Sequence, residues 1–416
     1  MKIKDIGTVV TGKTPATSHA EFYDGDYMFV TPTELHGGYK VSSSEKTITD
    51  EGIKSIKSNM IDGISVLVGC IGWDMGNVAM CFEKCATNQQ INSITKIRDC
   101  FNPYYLYYWL STKKDFLFSI ASVTRTPILS KGVFEEIEIP NTDRLEQDKI
   151  SKMLLLLDQK IEYNAAVNDN LQQQIRLLYD YWFTQFDFPD ENGKPYRSSG
   201  GAMVWNSTLK AEIPLGWTVG VLSDCIAKVS TGLNPRDNFK LGNGSIRYIT
   251  VKNLTMSGVL DFSGCDTIDE AAQTLIHRRS DISKGDILFA SIAPLGRCYL
   301  IEQNPTEWEI NESVFSLRPN IEMTTAEFLY SYFTSPAFIK GATSSSTGSV
   351  FKGIRINTLL DTEVLIPPYR IASAFSTKVR GLFSMLDKNA AEISTLSDIR
   401  DWLLPMLMNG QATISD

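Results

Sequence analysis

The chain of 416 residues has an ordinary globular composition, with 43% hydrophobic and 21% charged residues, and it is long enough for two or three domains with their own cores. Its net charge of −8 argues against a protein that coats nucleic acid non-specifically, because phosphate neutralisation requires an excess of Lys and Arg, but it does not exclude a local basic face. There is neither an N-terminal hydrophobic segment nor an apolar run of about 18 residues, so we expect no secretion signal and no membrane span. Seven scattered cysteines favour a reducing compartment, and a cytoplasmic location is expected. Only Cys81 and Cys85 are close in sequence, without a second ligand pair, so no metal site is expected.

Residues 1–140 read as short strands and turns with a little helix and are predicted to form a first globular domain. Near their start, the stretch from Gly7 to Thr14, GTVVTGKT, matches the phosphate-binding P-loop pattern. A P-loop needs a buried strand before it and a helix that begins at its lysine. The segment before Gly7 is too short for a buried central strand, and Pro15 is followed by no helical periodicity. A nucleotide-binding enzyme is therefore the disfavoured interpretation.

Residues 141–187 are predicted to form a central long helix, since no Pro or Gly interrupts the stretch 143–186. Apolar residues recur along it at alternating steps of three and four, the heptad spacing of a coiled coil. Asp143 followed by Glu146 gives a start signal of the capping-box kind. Such a helix would be about 65 Å long, so it must pack along a comparable partner.

The rest of the chain is predicted to supply that partner after a second globular domain. Residues 188–213 are predicted to be a linker, because the stretch from Phe186 to Trp217 is rich in Pro, Gly, Ser and Asn; we expect this stretch to pack in places through Trp205 and Trp217. Residues 214–366 form the predicted second domain, and residues 367–416 carry a distal long helix with the same heptad spacing.

Five sequence blocks recur in the same order in the two halves. The pairs are TVVTGKTPA with KVSTGLNPR, GDYMFVTPTEL with GSIRYITVKNL, VLVGCIGWDMG with ILFASIAPLG, YLYYWLS with FLYSYFT, and EIEIP with EVLIP. Their offset hardly changes between Gly25 with Gly244 and Pro140 with Pro367. Chance matches would not stay collinear, so the chain is predicted to be a duplicated unit of globular domain plus long helix.

The two long helices are expected to pair through the heptad positions. Asparagines interrupt the apolar stripe in both helices, and buried asparagines would fix register and antiparallel pairing at some cost in stability; solvent exposure at the edge of the seam is the alternative. The residues expected to pair are Leu157, Ile161, Asn164, Asn168, Leu171, Ile175, Leu386, Asn389, Ile393 and Leu396.

Short motifs that would suggest catalysis are incomplete. The stretch from Ile366 to Tyr369, IPPY, is similar to the catalytic tetrapeptide of amino-methyltransferases but lacks the leading hydrogen-bond acceptor, and the stretch from Asn102 to Tyr105 lacks the second proline. Pro367 and Pro368 are better interpreted as a stop between strand and helix. The three histidines are isolated, and no catalytic set can be assembled from the sequence.

What remains is recognition chemistry in loops. The stretch 341–360 and its counterpart SVTRTPILSKG contain basic residues and small hydroxyl residues, and neither contains an acidic residue. This composition suits contacts with phosphates and with base edges. A solvated serine-rich loop is the alternative for each residue. The candidates for DNA contact are Lys13, Thr14, Arg125, Lys131, Arg236, Lys252, Arg297, Lys352 and Arg355.

These features together resemble the specificity subunit of Type I restriction-modification enzymes. The stretch RLEQDKISKMLLLLDQKIEYNAAVNDNLQQQIRLLYDYWF looks like the central helical region of that family, and FDFPDENGKPYRSSGGAMVWNSTLKAEIPLGW is similar to its bridge into the second target-recognition domain. LIPPY and LLPMLMNGQ resemble its domain exit and its C-terminus. The resemblance covers essentially the whole chain.

The resemblance implies an α+β fold in which two similar mixed α/β target-recognition domains are joined by a pair of long antiparallel helices, a coiled coil with an internal two-fold repeat. It implies a non-catalytic subunit that binds double-stranded DNA, each domain reading one half of a bipartite target. The helices would set the spacing, near one helical turn of DNA, and dock two methyltransferase subunits. S-adenosylmethionine, ATP and Mg²⁺ would belong to partner methyltransferase and motor/endonuclease subunits, and this chain would hold no cofactor. The alternative is a two-headed helical scaffold that binds protein partners instead of DNA.

Overall fold

Strands without an exposed residue lie at the centre of each half of the chain. Ser65–Gly69 and Ile91–Thr95 are buried at every position, and so is Ile287–Ala290 in the second half. Their β-branched and leucine residues suit strands that are covered on both faces. The computed structural model describes residues 1–123, 125–345 and 353–414, which divide into a first unit, Met1–Ile161 with Thr395–Asp416, and a second unit, Glu162–Ser394.

The first half of the chain contains strands β1 to β10 and helices α1 to α6, the last of which continues into the second unit. The strands are β1 (Thr8–Thr11), β2 (Tyr23–Val30), β3 (Lys46–Ile48), β4 (Met60–Ile61), β5 (Ser65–Gly69), β6 (Val78–Cys81), β7 (Cys85–Thr87), β8 (Ile91–Thr95), β9 (Ser122–Val123) and β10 (Pro127–Ile128). The helices are α1 (Ile3–Ile6), α2 (Asp50–Ser55), α3 (Pro103–Ser111), α4 (Lys114–Ser119), α5 (Lys131–Glu135) and α6 (Arg144–Tyr179), with 3-10 turns at Ala20–Phe22, Pro32–His36 and Lys57–Asn59.

The second half repeats this arrangement and ends in a helix that returns to the first unit. Its strands are β11 (Met203–Asn206), β12 (Ala211–Pro214), β13 (Thr218–Val221), β14 (Ile226–Thr231), β15 (Ile246–Ile249), β16 (Asp266–Ile268), β17 (Ile287–Ala290), β18 (Cys298–Leu300), β19 (Trp308–Ile310), β20 (Val314–Pro319) and β21 (Glu363–Ile366). Its helices are α7 (Leu222–Cys225), α8 (Glu270–Ser280), α9 (Ala326–Phe333), α10 (Pro336–Ser345), α11 (Ile356–Leu360) and α12 (Tyr369–Met408), with a 3-10 turn at Val251–Asn253.

Among the described residues, the order of the strands in the two larger sheets is the same in the two halves of the chain, apart from one additional edge strand in the first. One antiparallel sheet runs β1-β8-β5-β6 in the first unit and β14-β20-β17-β18 in the second. A second sheet runs β3-β2-β7-β4 in the first unit and β16-β15-β19 in the second, and the pairs β2 with β7 and β15 with β19 are both parallel. The two halves therefore share topology as well as sequence blocks, as the repeat predicts.

Each globular part also begins and ends at one place. In the first unit the backbone N–H of Ile139 donates to the carbonyl of Met1 (2.7 Å), and Lys2 bridges antiparallel to Glu138. In the second unit β13 pairs antiparallel with β21, and Thr218 lies opposite Ile366. The predicted domains 1–140 and 214–366 stay predictions, but both segments close on themselves immediately before a long helix.

A glycine in each unit allows two loops to cross at the end of the antiparallel sheet. The N–H of Gly12 donates to the Ile91 carbonyl (3.0 Å), and a Cβ on Gly12 would lie 2.1 Å from the carbonyl oxygen of Asn88. In the second unit a Cβ on Gly232 would lie 1.6 Å from the carbonyl oxygen of Ile310. Since no side chain fits at these distances, the shared Thr-Gly of the two halves has a steric cause.

The two long helices contact one another in an antiparallel sense within each unit. In the second unit Asn164 donates to Glu392 (2.9 Å), and Asn389 donates to the side-chain carbonyl of Asn168 (3.0 Å). Asn164 and Asn168 are 3% and 2% exposed, so their amides are sheltered at the seam and do not face solvent. Slipping either helix would break both hydrogen bonds, so they favour one register, even though the buried Nδ2 of Asn168 has no hydrogen-bond partner among the described residues. The supercoiling expected from the heptad spacing stays a prediction.

In the first unit a buried carboxylate joins the helices to the globular part. Asp158 on α6 accepts hydrogen bonds from the hydroxyl of Tyr108 (2.6 Å) and from the guanidinium of Arg400 on α12 (2.8 Å). Burial, aided by the charge of Asp158, raises the pKa of Tyr108, so its hydroxyl stays protonated and donates. The corresponding Asp387 accepts from the hydroxyl of Tyr299 (2.8 Å) in the second unit.

The predicted central helix changes character near its end. Asp143 accepts from the N–H of Leu145 (3.0 Å) as a helix cap, but the α-helix stops at Tyr179 and a π-helical turn, Asp180–Thr184, follows. The wider turn lets the consecutive Trp182 and Phe183 both be buried, each within 6 Å of the ring of Phe375. Aromatic packing therefore overrides ideal helix geometry here.

The predicted linker is more ordered than its composition indicates. Within residues 188–213 the strands β11 and β12 form a hairpin. Trp217 is buried and stacks with Phe188, their ring centroids 5.4 Å apart. The expectation that Trp205 packs is wrong, because its side chain is 68% exposed. It lies on a two-stranded hairpin, whose outer face meets solvent.

Among the described residues, no helix combines the length and apolarity required to span a membrane.

Replacing Gly12 by Ala should destabilise the chain by about 1–3 kcal/mol, because the added methyl group would collide with backbone atoms that cannot move independently. Gly132→Ala is the matched control in the same unit, since a Cβ there meets nothing within 4 Å. Thermal unfolding of the two variants measures the difference. Equal melting temperatures would contradict the crossing described above.

Replacing Leu171 by Asp should cost at least about 3 kcal/mol, because the new carboxylate would be buried without a partner at a position that is 5% exposed. Leu177→Asp on the same helix is the control, since Leu177 is 60% exposed and its substitution should change stability by no more than about 0.5 kcal/mol. Denaturant unfolding compares them, and the packing of the helix seam would have to be abandoned if Leu171→Asp unfolded like the control.

Candidate nucleic-acid interface

In the first unit, five loops meet at one end of the antiparallel sheet. Antiparallel pairing places the end of β1 beside the start of β8, and the end of β5 beside both β8 and β6. We call the loops that leave this end the first loop surface, which comprises residues 12–15, 31–38, 70–77, 88–90, 122–123 and 125–130.

Backbone hydrogen bonds hold the first loop surface together. Lys13 donates its N–H to Thr87 (2.9 Å), and Cys70 donates to Gln90 (2.7 Å). Gly72 donates to Pro127 (3.0 Å), which joins the loop after β5 to the hairpin of β9 and β10. The side chain of Thr14 donates to that of Gln89 (2.8 Å). Loops that are distant in sequence therefore form one continuous face.

The second unit builds the same face from the corresponding loops. We call residues 232–236, 250–254, 291–297, 311–313 and 353–355 the second loop surface. Gly232 donates to Asn311 (3.1 Å), Ser291 donates to Ser313 (3.2 Å), and Ile354 donates to Ser291 (2.9 Å). The duplication therefore places equivalent loops at equivalent sheet ends.

The structure places most of the sequence-predicted DNA contacts on these two surfaces. Lys13 and Arg125 are exposed on the first loop surface, beside the half-buried Thr14. Arg236, Lys252 and Arg355 are exposed on the second. Their contact with DNA stays a prediction.

Three other candidates are placed differently. Lys131 begins α5 just beyond the first loop surface and lies 3.5 Å from Glu135, an exposed pair one helical turn apart. Lys352 lies outside the described residues. Arg297 is on the second loop surface, but its guanidinium donates to the carbonyls of Val251 (2.6 Å) and Ile292 (3.1 Å), among others.

The hydrogen bonds of Arg297 give it a structural role. It links the loop after β17 to the 3-10 turn Val251–Asn253, and burial lowers the pKa of its guanidinium. The turns in this position repeat: Thr31 donates to Glu34 (2.7 Å) in the first unit, as Thr250 does to Asn253 (3.0 Å) in the second.

Sequence reasoning missed the loop of residues 70–77. Its Trp73 is 70% exposed. The carboxylate of Asp74 lies 2.7 Å from Nζ of Lys114 and 3.0 Å from Nε2 of His36. The hydrogen bond from Lys114 lowers the pKa of Asp74, so this carboxylate stays ionised and is offset by its neighbours. The glycines that flank Trp73 in GWDMG were the available signal.

The motifs with a possible catalytic meaning have local structural roles. Residues 12–16, which follow β1, contain no helix, so the phosphate cradle of a P-loop is not formed there. Asn102 caps α3 by accepting from the N–H groups of Tyr104 (2.8 Å) and Tyr105 (3.2 Å). Pro367 and Pro368 separate β21 from α12. Within the described part of the chain, no group of three or more His, Cys, Asp or Glu side chains could hold a metal ion.

Comparisons with known proteins agree with this architecture. Residues 1–173 and 214–382 match the family described as Type I restriction modification DNA specificity domain. The chain is similar to the Type I restriction enzyme MjaIX specificity subunit of Methanocaldococcus jannaschii, with 28% identity over 421 residues that cover all of this chain and 93% of the relative. It is 23% identical to the HindI specificity subunit of Haemophilus influenzae over 65% of this chain and 68% of the relative.

The solved structures include the same fold. The crystal structure of the S subunit of a Type I restriction-modification system from M. genitalium aligns with a TM-score of 0.56 at 18% identity, covering 98% of this chain and 95% of that one. The family match includes both repeated halves and extends over most of the chain. The chain therefore belongs to the Type I restriction-modification DNA specificity family, and it is a non-catalytic subunit that gives such a complex its DNA sequence specificity.

Proposed function

We propose that each loop surface reads one half of a bipartite DNA target. The observation that carries this proposal is the repetition: equivalent sheet ends present equivalent loops in both units, and exposed cations lie on each set. Backbone phosphates position such loops through Lys and Arg, while polar side chains and loop backbone address base edges. A negative net charge is compatible with this role because recognition needs cations only where the duplex lies.

The long helices fix the distance between the two halves of the target in this proposal. Shifting a reading surface by one base pair also rotates it about the duplex axis, so a stiff connector selects one separation. The buried Asn164 and Asn168 of α6, which pair with Glu392 and Asn389 of α12, suit this role, because these contacts restrict the register of the helices.

The partners are proposed from the same reasoning. Exposed apolar residues on the long helices, among them Leu156, Leu177 and Met385, provide surface for two methyltransferase subunits, with motor/endonuclease subunits completing a restricting complex. S-adenosylmethionine, ATP and Mg²⁺ would be bound by those partners in the cytoplasm. A scaffold that binds only proteins is the alternative, and it predicts assembly that is indifferent to DNA.

Removing the two exposed cations of the first loop surface, in the double variant Lys13→Ala with Arg125→Ala, should weaken DNA binding with little dependence on sequence. Each lost phosphate contact should also reduce the slope of log K against log salt concentration by about 0.9. Lys4→Ala is the control, because Lys4 precedes β1 at the opposite end of that strand. Fluorescence anisotropy of the assembled complex with labelled duplex provides the measurement, and an unchanged slope in the double variant would remove these residues from the interface.

Grafting residues 1–140 from another family member should change one half of the recognised target and leave the other half unchanged. The expectation has a structural reason, since this segment begins and ends at the pairing of Lys2 with Glu138. Sequencing that detects methylated adenines in cells containing the chimera and its methyltransferase partner reports both halves at once. The reciprocal graft of residues 214–366 is the control and should alter the opposite half; a graft that altered both halves would contradict independent reading.

A further inference from the structure

The loop between β5 and β6 displays a large aromatic ring that no other described residue of the first unit covers closely. Trp73 is 70% exposed, and its ring centroid lies 6.1 Å from that of Phe118, with the two rings tilted by 39°. Leaving an indole in water forgoes the favourable free energy of burying its surface. An exposed tryptophan on a recognition face therefore suggests that a partner covers it.

The backbone conformation and hydrogen bonds of this loop fix the position of Trp73. Gly72 and Gly76 adopt φ values of +108° and +93°, a region that side chains disfavour. The N–H of Gly76 donates to Gly69 (2.7 Å), and the neighbouring Met75 is only 1% exposed. With one side of the loop anchored in the core, Trp73 is directed outward with little freedom of the backbone.

The loop that carries Trp73 is joined to a hairpin with one exposed apolar and one exposed cationic residue. Ile128, 41% exposed, lies on β10, which is joined to the loop through the hydrogen bond from Gly72 to Pro127. Arg125 is exposed in the turn of the same hairpin. The ammonium group of Lys114 lies 2.7 Å from the carboxylate of Asp74, so its positive charge partly offsets the repulsion between Asp74 and phosphates.

We propose that Trp73 is a specificity-determining residue of the first loop surface and that its indole packs against DNA bases in the half-site read by this unit. The inference rests on the proposed function and adds a base-contacting residue to it. An uncharged ring gains little from a phosphate, whereas thymine methyl groups in the major groove, and base faces at a step that an apolar side chain opens, are apolar surfaces that a duplex can offer. The adjacent Arg125 would then hold the backbone beside those bases.

The effect is confined to one half of the target. In the repeat, VLVGCIGWDMG corresponds to ILFASIAPLG, so Ala293 and Pro294 stand where the first unit has its aromatic loop. The second loop surface lacks an aromatic residue at this position and must read its bases by other means. Loss of Trp73 should therefore change discrimination in one half-site only.

The test uses the chain assembled with its methyltransferase subunits and a fluorescein-labelled duplex that contains the motif found by methylation sequencing. Trp73→Ala should weaken binding about tenfold, in the range expected for loss of an aromatic–base contact, while the salt slope stays that of the natural protein. Base-pair substitutions in the first half-site should be discriminated less well, and those in the second equally well. Trp73→Phe should restore most of the affinity.

Trp205→Ala is the matched control, because Trp205 is 68% exposed on the hairpin of β11 and β12. It should bind like the natural protein. If Trp73→Ala also binds like the natural protein, or if it lowers the salt slope in the manner of a lost phosphate contact, the inference is overturned. Weakened assembly with the methyltransferase, seen by size-exclusion chromatography at unchanged DNA affinity, overturns it as well and assigns the ring to a protein interface. Failure of the natural complex to bind its motif would instead refute the proposed function.

Discussion

The return of each globular part to its own starting point is the constraint on which the rest of the structure depends. In the first unit this closure joins Met1 to Ile139, and in the second it joins β13 to β21. Because entry and exit lie together, a long helix can leave each globular part without disturbing its sheets. The same closure leaves the opposite end of the sheet free to carry the loop surface, so the proposed DNA contacts and the connection to the long helix lie at different ends of one sheet.

Each loop surface also depends on a glycine at the point where two of its loops cross. Because Gly12 and Gly232 have no side chain, the backbone of each can contact the backbone of the loop that crosses it. This contact holds the loops that carry the candidate cations in place. The side chains on those loops are free to differ between the units. Trp73 in one unit and Pro294 in the other illustrate this freedom, since both stand on loops anchored by equivalent strands. A duplicated scaffold with different loop residues is well suited to reading two different half-sites.

Polar groups within the helical region contribute specificity of pairing more than stability. A buried carboxylate such as Asp158 costs desolvation that its partners Tyr108 and Arg400 offset only in one arrangement. Asn168 and Asn389 act in the same way in the second unit. Such contacts would be lost if either helix slipped by a turn, so they favour a fixed length of connector.

The sequence by itself determined the duplication, the two long helices and the absence of a complete catalytic motif, because periodicity and collinear blocks depend only on local order along the chain. It also singled out Arg125 and Arg355 as candidates from the composition of their loops. The role of Arg297, the exposure of Trp205 and the exposed ring of Trp73 depended on which distant segments come together, and no local pattern encodes that. The π-helical turn after Tyr179 likewise arises from packing against Phe375. Only tertiary structure decided which loops share a surface, since the backbone hydrogen bonds that hold these loops together join segments as far apart as Gly72 and Pro127.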